Sequence, residues 1–166
     1  MIQIGDQVLY GIHGVCRIIG TELRSVDRRK VEYFILEPLS KSDACFYVPT
    51  QNQAALSKLQ PLLDAQALRD LLTSEQANRD SWIPDEGRRK NRYRELINGG
   101  DRAAIISMVR SLYRHRKTQA EMGRKFHLCD ENFLRDAEKL LSSEISLVLG
   151  IASNEIPAYL QENSLI

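Results

Sequence analysis

The chain has 166 residues, of which 43% are hydrophobic and 27% charged, and its formal net charge is +1. These proportions are ordinary for a globular protein of one or two domains. No apolar run approaches the roughly 20 residues that cross a bilayer, and the first residues lack the basic and apolar segments of a secretion signal. We therefore expect a cytoplasmic protein without a membrane partner.

The charge is unevenly distributed along the chain. Residues 1–81 carry 9 Lys and Arg against 10 Asp and Glu, residues 82–126 carry 12 against 5, and residues 127–166 carry 2 against 7. A basic middle between neutral and acidic flanks favours a local surface for a polyanion.

The first sixty residues have the composition of short β-strands. Apolar stretches over 8–10, 15–19, 31–36 and 45–48 are separated by turn residues and by the polar loops 25–29 and 40–43. Four or five strands in so short a segment predict a small, strongly bent antiparallel β-barrel of the SH3 or Tudor type. We place this domain at residues 1–62.

Beyond Pro61 the pattern becomes helical. Asp64 is a candidate N-cap for a short helix, and residues 73–81 are polar, as in a linker or loop. From Glu86 the chain is predicted to be helical almost to its end, with one helix capped by Asp101 and the longest one opened by Asp130. The breaks fall at residues 98–100, near Gly123 and at Gly150, and a last short helix follows Ser153. The fold class is therefore α+β, a β-barrel followed by a compact all-helical domain at 63–166.

Neither catalysis nor metal binding is indicated. The cysteines, Cys16, Cys45 and Cys129, are widely spaced and do not cluster with histidines as zinc ligands do, so we expect small apolar core residues. No nucleophile, metalloprotease or phosphate-loop motif is present. We expect a protein that is not an enzyme, with no cofactor, no metal and no small-molecule ligand.

The most informative segment is the one around the single tryptophan, Trp82. It lies just before Pro84, which predicts a helix entrance, and a basic run containing Arg88, Arg89 and Arg92 follows. On a helix these arginines could contact successive phosphates, or form a solvated face. The indole could act as a minor-groove wedge beside them, or pack into the helical core. Further basic residues follow in the next helices: Arg110, Arg114, Arg116, Lys117, Arg124 and Lys125.

Several motifs, in this order along the chain, resemble one family. They are I-G-D-Q-V-L-Y-G-I-H-G-V at 4–15, E-Y-F-I-L at 32–36, Y-V-P at 47–49, the lone Trp82, N-G-G-D at 98–101, V-R-S-L-Y at 109–113 and L-x-x-A-E-K-L-L-x-x-E-I at 134–145. Over residues 1–160 the chain resembles the CarD/CdnL family of bacterial RNA-polymerase-binding transcription factors.

The resemblance implies a function for each domain. The barrel would dock on the β subunit of RNA polymerase, and the helical domain would contact promoter DNA near the upstream edge of the transcription bubble. The family's wedge tryptophan corresponds to Trp82. Arg24 aligns with a basic position of the polymerase contact, whereas Tyr47 replaces a second family arginine. The protein would then be nucleoid-associated through the polymerase.

This chain also departs from the family beside the tryptophan. Family members often place arginines directly after it, whereas residues 83–87 intervene here before the basic run. Two other functions remain open from the sequence: an adaptor whose helices never touch DNA, and an RNA-associated barrel protein. The basic segment disfavours a pure adaptor, and the lack of aromatic residues interleaved with basic ones disfavours single-strand stacking.

Overall fold

A computed structural model describes residues 1–40 and 43–162 of the chain. The chain divides into two compact units, Met1–Leu62 and Leu63–Ile166. Within the predicted polar loop 40–43, residues 41 and 42 lie outside the described residues, as do the last four residues of the predicted helical domain.

The first unit is built on one antiparallel sheet. Its strands follow the order β4-β3-β2-β1-β5. The elements in chain order are β1 Gln7–Tyr10, a 3-10 turn Gly11–His13, β2 Val15–Val26, β3 Arg29–Pro38, β4 Phe46–Pro49, α1 Gln53–Leu56 and β5 Leu59–Pro61. The last strand returns to β1, with Leu9 opposite Gln60, so the two ends of the unit meet in the sheet.

The predicted α+β fold class, an antiparallel β unit followed by helices, is confirmed. The sheet curls around a small core without closing into the predicted barrel. One buried cluster takes residues from all five strands: Val8, Cys16, Ile18, Leu36, Val48 and Leu59. Among the described residues no ladder joins β4 to β5. These edge strands are only four and three residues long, which leaves few backbone groups for a closing ladder.

The β2–β3 hairpin is longer than the sequence indicated. The predicted loop 25–29 is reduced to a two-residue turn, because Val26 pairs with Arg29. Asp27 and Arg28 both have positive φ, at 48° and 63°, which is the conformation of the tight turn that matches the twist of hairpin strands. Both strands therefore continue to the turn itself.

The second unit is all-helical within its described residues. Its elements are α2 Ala65–Leu72, α3 Glu75–Asn78, α4 Glu86–Gly99, α5 Arg102–Glu121, α6 Leu128–Leu149, a 3-10 turn Ser153–Glu155 and α7 Ile156–Glu162. Asp64 and Asp101 are N-caps, as predicted, and accept bonds from amides three residues ahead at 2.7 and 3.1 Å. Gly100 and Gly150 end α4 and α6 in left-handed conformations.

Two predictions about these helices were wrong. Helix α6 begins at Leu128, two residues before the predicted start at Asp130, which is a fully buried residue of its first turn. The segment 73–81, predicted as a linker or loop, contains α3, whose Ala77 is fully buried. Helix α3 is a single turn with one apolar residue in the core, so it carries no hydrophobic periodicity from which a helix could be predicted.

The core of the second unit includes polar side chains with defined partners. Glu144 is 1% exposed and forms a two-bond ion pair with Arg102, at 2.8 and 2.9 Å. It also accepts from the amide of Leu63 at 3.1 Å, which ties the start of the unit to α6. None of the helices in the described part of the chain is long and apolar enough to cross a membrane.

Candidate nucleic-acid interface

Trp82 lies in the non-helical segment between α3 and α4, as the sequence predicted. The indole is half-buried. Asp85 closes the segment by capping α4, with its carboxylate accepting from the amide of Arg88 at 2.7 Å. The tryptophan is therefore held between two helix ends, where a side chain can be presented at a surface without a long mobile loop.

A polar stripe on α5 fixes the backbone of this segment. The hydroxyl of Ser107 donates to the carbonyl of Arg79 at 2.5 Å. One turn later, the hydroxyl of Ser111 accepts from the amide of Ser81 at 2.8 Å and lies 2.9 Å from the Asp80 carboxylate. Both serines are at least 96% buried, so these bonds are sheltered from competing water.

Asp80 organises the backbone immediately before the indole. Its carboxylate accepts from the amide of Trp82 at 3.1 Å. This bond, together with the one from Ser111, holds the pKa of Asp80 below its ordinary value. The carboxylate is therefore ionised at neutral pH and acts as an acceptor for both groups.

Two cationic or ionisable groups contact the indole ring. The imidazole of His115 is stacked on it, with ring centroids 3.6 Å apart and an interplanar angle of 18°. The guanidinium carbon of Arg89 lies over the ring at 4.3 Å, a cation–π contact. His115 is one turn beyond Ser111 on α5 and extends the polar stripe to the side chain of Trp82.

Arg89 does not fit the expected role of a phosphate contact. It is 3% exposed and forms a two-bond ion pair with the fully buried Asp130, at 2.8 and 2.9 Å. Its remaining nitrogen donates to the carbonyls of Ile83 and Pro84, at 2.9 and 3.3 Å. Arg89 thus holds the chain on the C-terminal side of Trp82, and its donors are committed within the protein.

Arg110, one of the basic residues noted in the helices after the basic run, is also inside the protein. It is 2% exposed and donates to the carbonyls of Leu72 and Ala77, at 3.0 and 2.9 Å, and to the side chain of Asn78. These groups belong to the last residues of α2 and α3. Burial lowers the pKa of Arg110, and its bonds join both helix ends to α5.

The exposed arginines near Trp82 come from two segments. Arg88 and Arg92 are exposed and one turn apart on α4, as predicted. A cleft of about 550 Å³ beside the indole brings Arg92 together with Arg79. Arg79, whose side chain is 69% exposed, was missed because its segment was interpreted as a linker or loop.

In the first unit, the two predicted polymerase contacts touch each other. The guanidinium carbon of Arg24, on β2, lies 3.6 Å from the ring centroid of Tyr47, on β4. Both are partly exposed, and Arg24 also pairs with Glu22 at 3.2 Å. The aromatic ring thus supports the guanidinium at the surface through a cation–π contact.

The cysteines differ in their exposure, and no cluster suited to a metal ion is found in the described part of the chain. Within residues 1–40 and 43–162, no three His, Cys, Asp or Glu side chains are grouped as a metal site requires. Cys16 is fully buried, and burial raises the pKa of its thiol to about 11. Cys45 is exposed, contrary to the expectation of three core cysteines.

Comparison with known proteins gives matches over both units. The family model described as CarD-like/TRCF RID domain matches residues 2–60, and the one described as CarD, C-terminal domain matches residues 66–161. A Bacillus subtilis (strain 168) protein named "Putative transcription factor YdeB" is 26% identical over 163 residues, which cover 96% of this chain and 99% of that protein.

Proposed function

Because the chain belongs to the CarD family and is similar to a protein named as a putative transcription factor, we propose that it is a transcription regulator that links RNA polymerase to promoter DNA. Residues 1–62 bind the β subunit of the polymerase, and the helical unit contacts the DNA at the upstream edge of the transcription bubble. The observation that carries the proposal is the fixed, half-exposed Trp82 beside exposed arginines.

The indole is suited to a junction between paired and melted DNA. An apolar wedge can fill the space that opens when a base step unstacks. Here the backbone on both sides of Trp82 is fixed, by Ser111 on one side and Arg89 on the other. The side chain is therefore already ordered before it meets DNA, so that less conformational entropy is lost on binding.

The phosphate contacts are assigned to the exposed arginines alone. Arg88 and Arg92 form one exposed pair on α4, and Arg79 adds a third cation across the cleft. Contacts of this kind release counterions and supply affinity with little sequence preference. The polymerase then determines which DNA sequences are bound. Arg24 and Tyr47, in the first unit, would contact the polymerase.

The regulatory effect follows from differential affinity. A protein that binds the melted junction better than closed duplex shifts the population towards the open complex, by no more than that difference in affinity. The polymerase performs the melting, and this protein slows the reverse step. Whether a promoter gains or loses transcription then depends on which step limits it.

The test is the lifetime of open complexes formed by polymerase with the full-length protein. Trp82→Ala is expected to shorten the lifetime while leaving polymerase binding intact. Arg24→Glu is expected to abolish the effect by preventing polymerase binding. An unchanged lifetime with Trp82→Ala would refute the proposed role of the indole.

A matched pair of charge reversals tests the phosphate contacts. Arg92→Glu should weaken binding to duplex DNA and reduce the salt slope, by about one unit for each phosphate that the variant no longer neutralises. Arg135→Glu, at an exposed position of α6 that is not part of the cleft lining, makes the same charge change outside the proposed surface. Equal reductions in affinity from both variants would indicate general charge attraction and not a defined surface. No binding by the wild type would favour a protein-interaction adaptor.

A further inference from the structure

We propose that His115 is a positioning residue for Trp82: its imidazole forms the platform that holds the indole in the orientation that meets DNA. This inference rests on the proposed function of Trp82. It adds a specific, titratable residue on α5 to a site that the sequence had placed entirely on residues 82–92.

The geometry of the pair is that of a stacking platform. The two rings are 3.6 Å apart and 18° from parallel, close enough for full van der Waals contact across both rings. The imidazole is itself anchored, since its Nε2 lies 3.1 Å from the side-chain nitrogen of Gln119, one turn further along α5. Phe126 lies against it as well, at 6.3 Å between centroids. The platform is therefore fixed on a 20-residue helix.

The side chain of Gln119 can bond either form of this imidazole. Its amide nitrogen donates to an unprotonated Nε2, and its amide oxygen would accept from a protonated one. The Gln119 oxygen is buried and has no partner. Rotation of the amide would turn this oxygen towards a protonated ring, so that Gln119 can follow a change of protonation state.

Charged groups from both neighbouring helices act on this imidazole. Burial is the largest cause that lowers the pKa of His115 below its ordinary value, and Arg89 on α4 and His127 before α6 act in the same direction. Asp130 on α6 favours protonation. The lowered pKa favours the uncharged ring at neutral pH.

Removal of the platform should weaken DNA binding without removing the indole. Without the platform, Trp82 is mobile in the free protein and loses conformational entropy when it enters the DNA. This entropy loss and the loss of the ring stacking should together shorten the open-complex lifetime by about two- to tenfold. His115→Ala should show this reduction, and His115→Phe should restore the lifetime because it keeps a flat ring at the same position.

The free protein gives a separate test, because Trp82 is the only tryptophan and its fluorescence reports this contact directly. A protonated imidazole in contact with an indole quenches its emission more than a neutral one. Wild-type emission should fall as the pH is lowered, with a midpoint below 6.5. This fall in emission should vanish in His115→Phe. It should persist in the control His127→Ala, because the His127 side chain is exposed and makes no capping bond.

The outcomes separate the two ideas. If emission still falls at low pH in His115→Phe, the positioning role alone is overturned. The same holds if His115→Ala has a wild-type open-complex lifetime while Trp82→Ala shortens it. A wild-type lifetime with Trp82→Ala overturns the proposed function itself, whatever the fluorescence shows. The inference is supported if the pH-dependent fall in emission is lost in His115→Phe. It also requires that His115→Ala shortens the open-complex lifetime and that His115→Phe restores it.

Discussion

The buried pair of Arg89 and Asp130 allows a quantitative prediction. Both side chains are at least 96% buried, and two hydrogen bonds join them. Asp130→Asn leaves a buried guanidinium without its counter-charge, and removal of one partner of such a pair costs about 3–5 kcal/mol. The amide keeps one acceptor, and the carbonyls of Ile83 and Pro84 still bind Arg89, so we expect a destabilisation of about 3 kcal/mol, the lower end of that range.

That destabilisation is large against the total stability of a small domain, about 5–15 kcal/mol. At about 4–8 °C per kcal/mol for a domain of this size, the Tm should fall by roughly 12–24 °C. Denaturant unfolding followed by helical circular dichroism measures it, since the helical unit supplies most of the signal. A destabilisation under about 1 kcal/mol, the value of an exposed pair, would refute the argument from burial.

A double variant separates stability from function. Arg89→Met with Asp130→Leu replaces the pair by apolar groups, which often restores the stability that a single removal loses. It also removes the cation over Trp82 and the bonds to the carbonyls of Ile83 and Pro84. We expect this variant to be more stable than Asp130→Asn and still to shorten the open-complex lifetime. A wild-type lifetime would show that Arg89 serves stability alone.

Three further predictions concern single side chains. Ser111→Ala should destabilise the protein by about 1–3 kcal/mol, because it leaves buried polar partners unsatisfied; denaturant unfolding measures the change. Glu138→Gln should raise the Tm at neutral pH, because burial raises the pKa of Glu138 and its charged form therefore opposes folding. The gain should disappear below pH 4.5, where the carboxyl is protonated in both the folded and unfolded states, and equal gains at both pH values would contradict this sign. A thiol reagent should label Cys45 in the native protein and leave Cys16 unlabelled until unfolding, as mass spectrometry of the labelled peptides would show.

The features that local chemistry determines could be predicted from the sequence. The caps at Asp64 and Asp101 and the left-handed glycines at 100 and 150 each act within one turn of their own helix. The strand positions followed from runs of apolar residues bounded by turns. The open edge of the sheet could not be predicted in this way, because closure depends on the register between strands far apart in sequence.

The site was predicted less well, because its contacts join distant parts of the chain. Arg89 resembled a solvated arginine within its own helix, and its burial depends on Asp130, 41 residues further along. His115 gave no signal as a single histidine. The available clue was the stripe of Ser107, Ser111 and His115 at four-residue intervals along α5, where polar residues on one helix face indicate a partner.

The long β2–β3 hairpin has a consequence for motion in the first unit. Strand β4 pairs with β3 only from Tyr33 to Leu36, so the tip of the hairpin is a two-stranded ribbon, and Leu23 within it is 65% exposed. A ribbon of this kind is marginally stable alone. Its amides should exchange hydrogen with solvent much faster than those near Ile18, within the same strand. Arg24 lies on this ribbon, and a partner that binds it would be detected as slowed exchange at the tip.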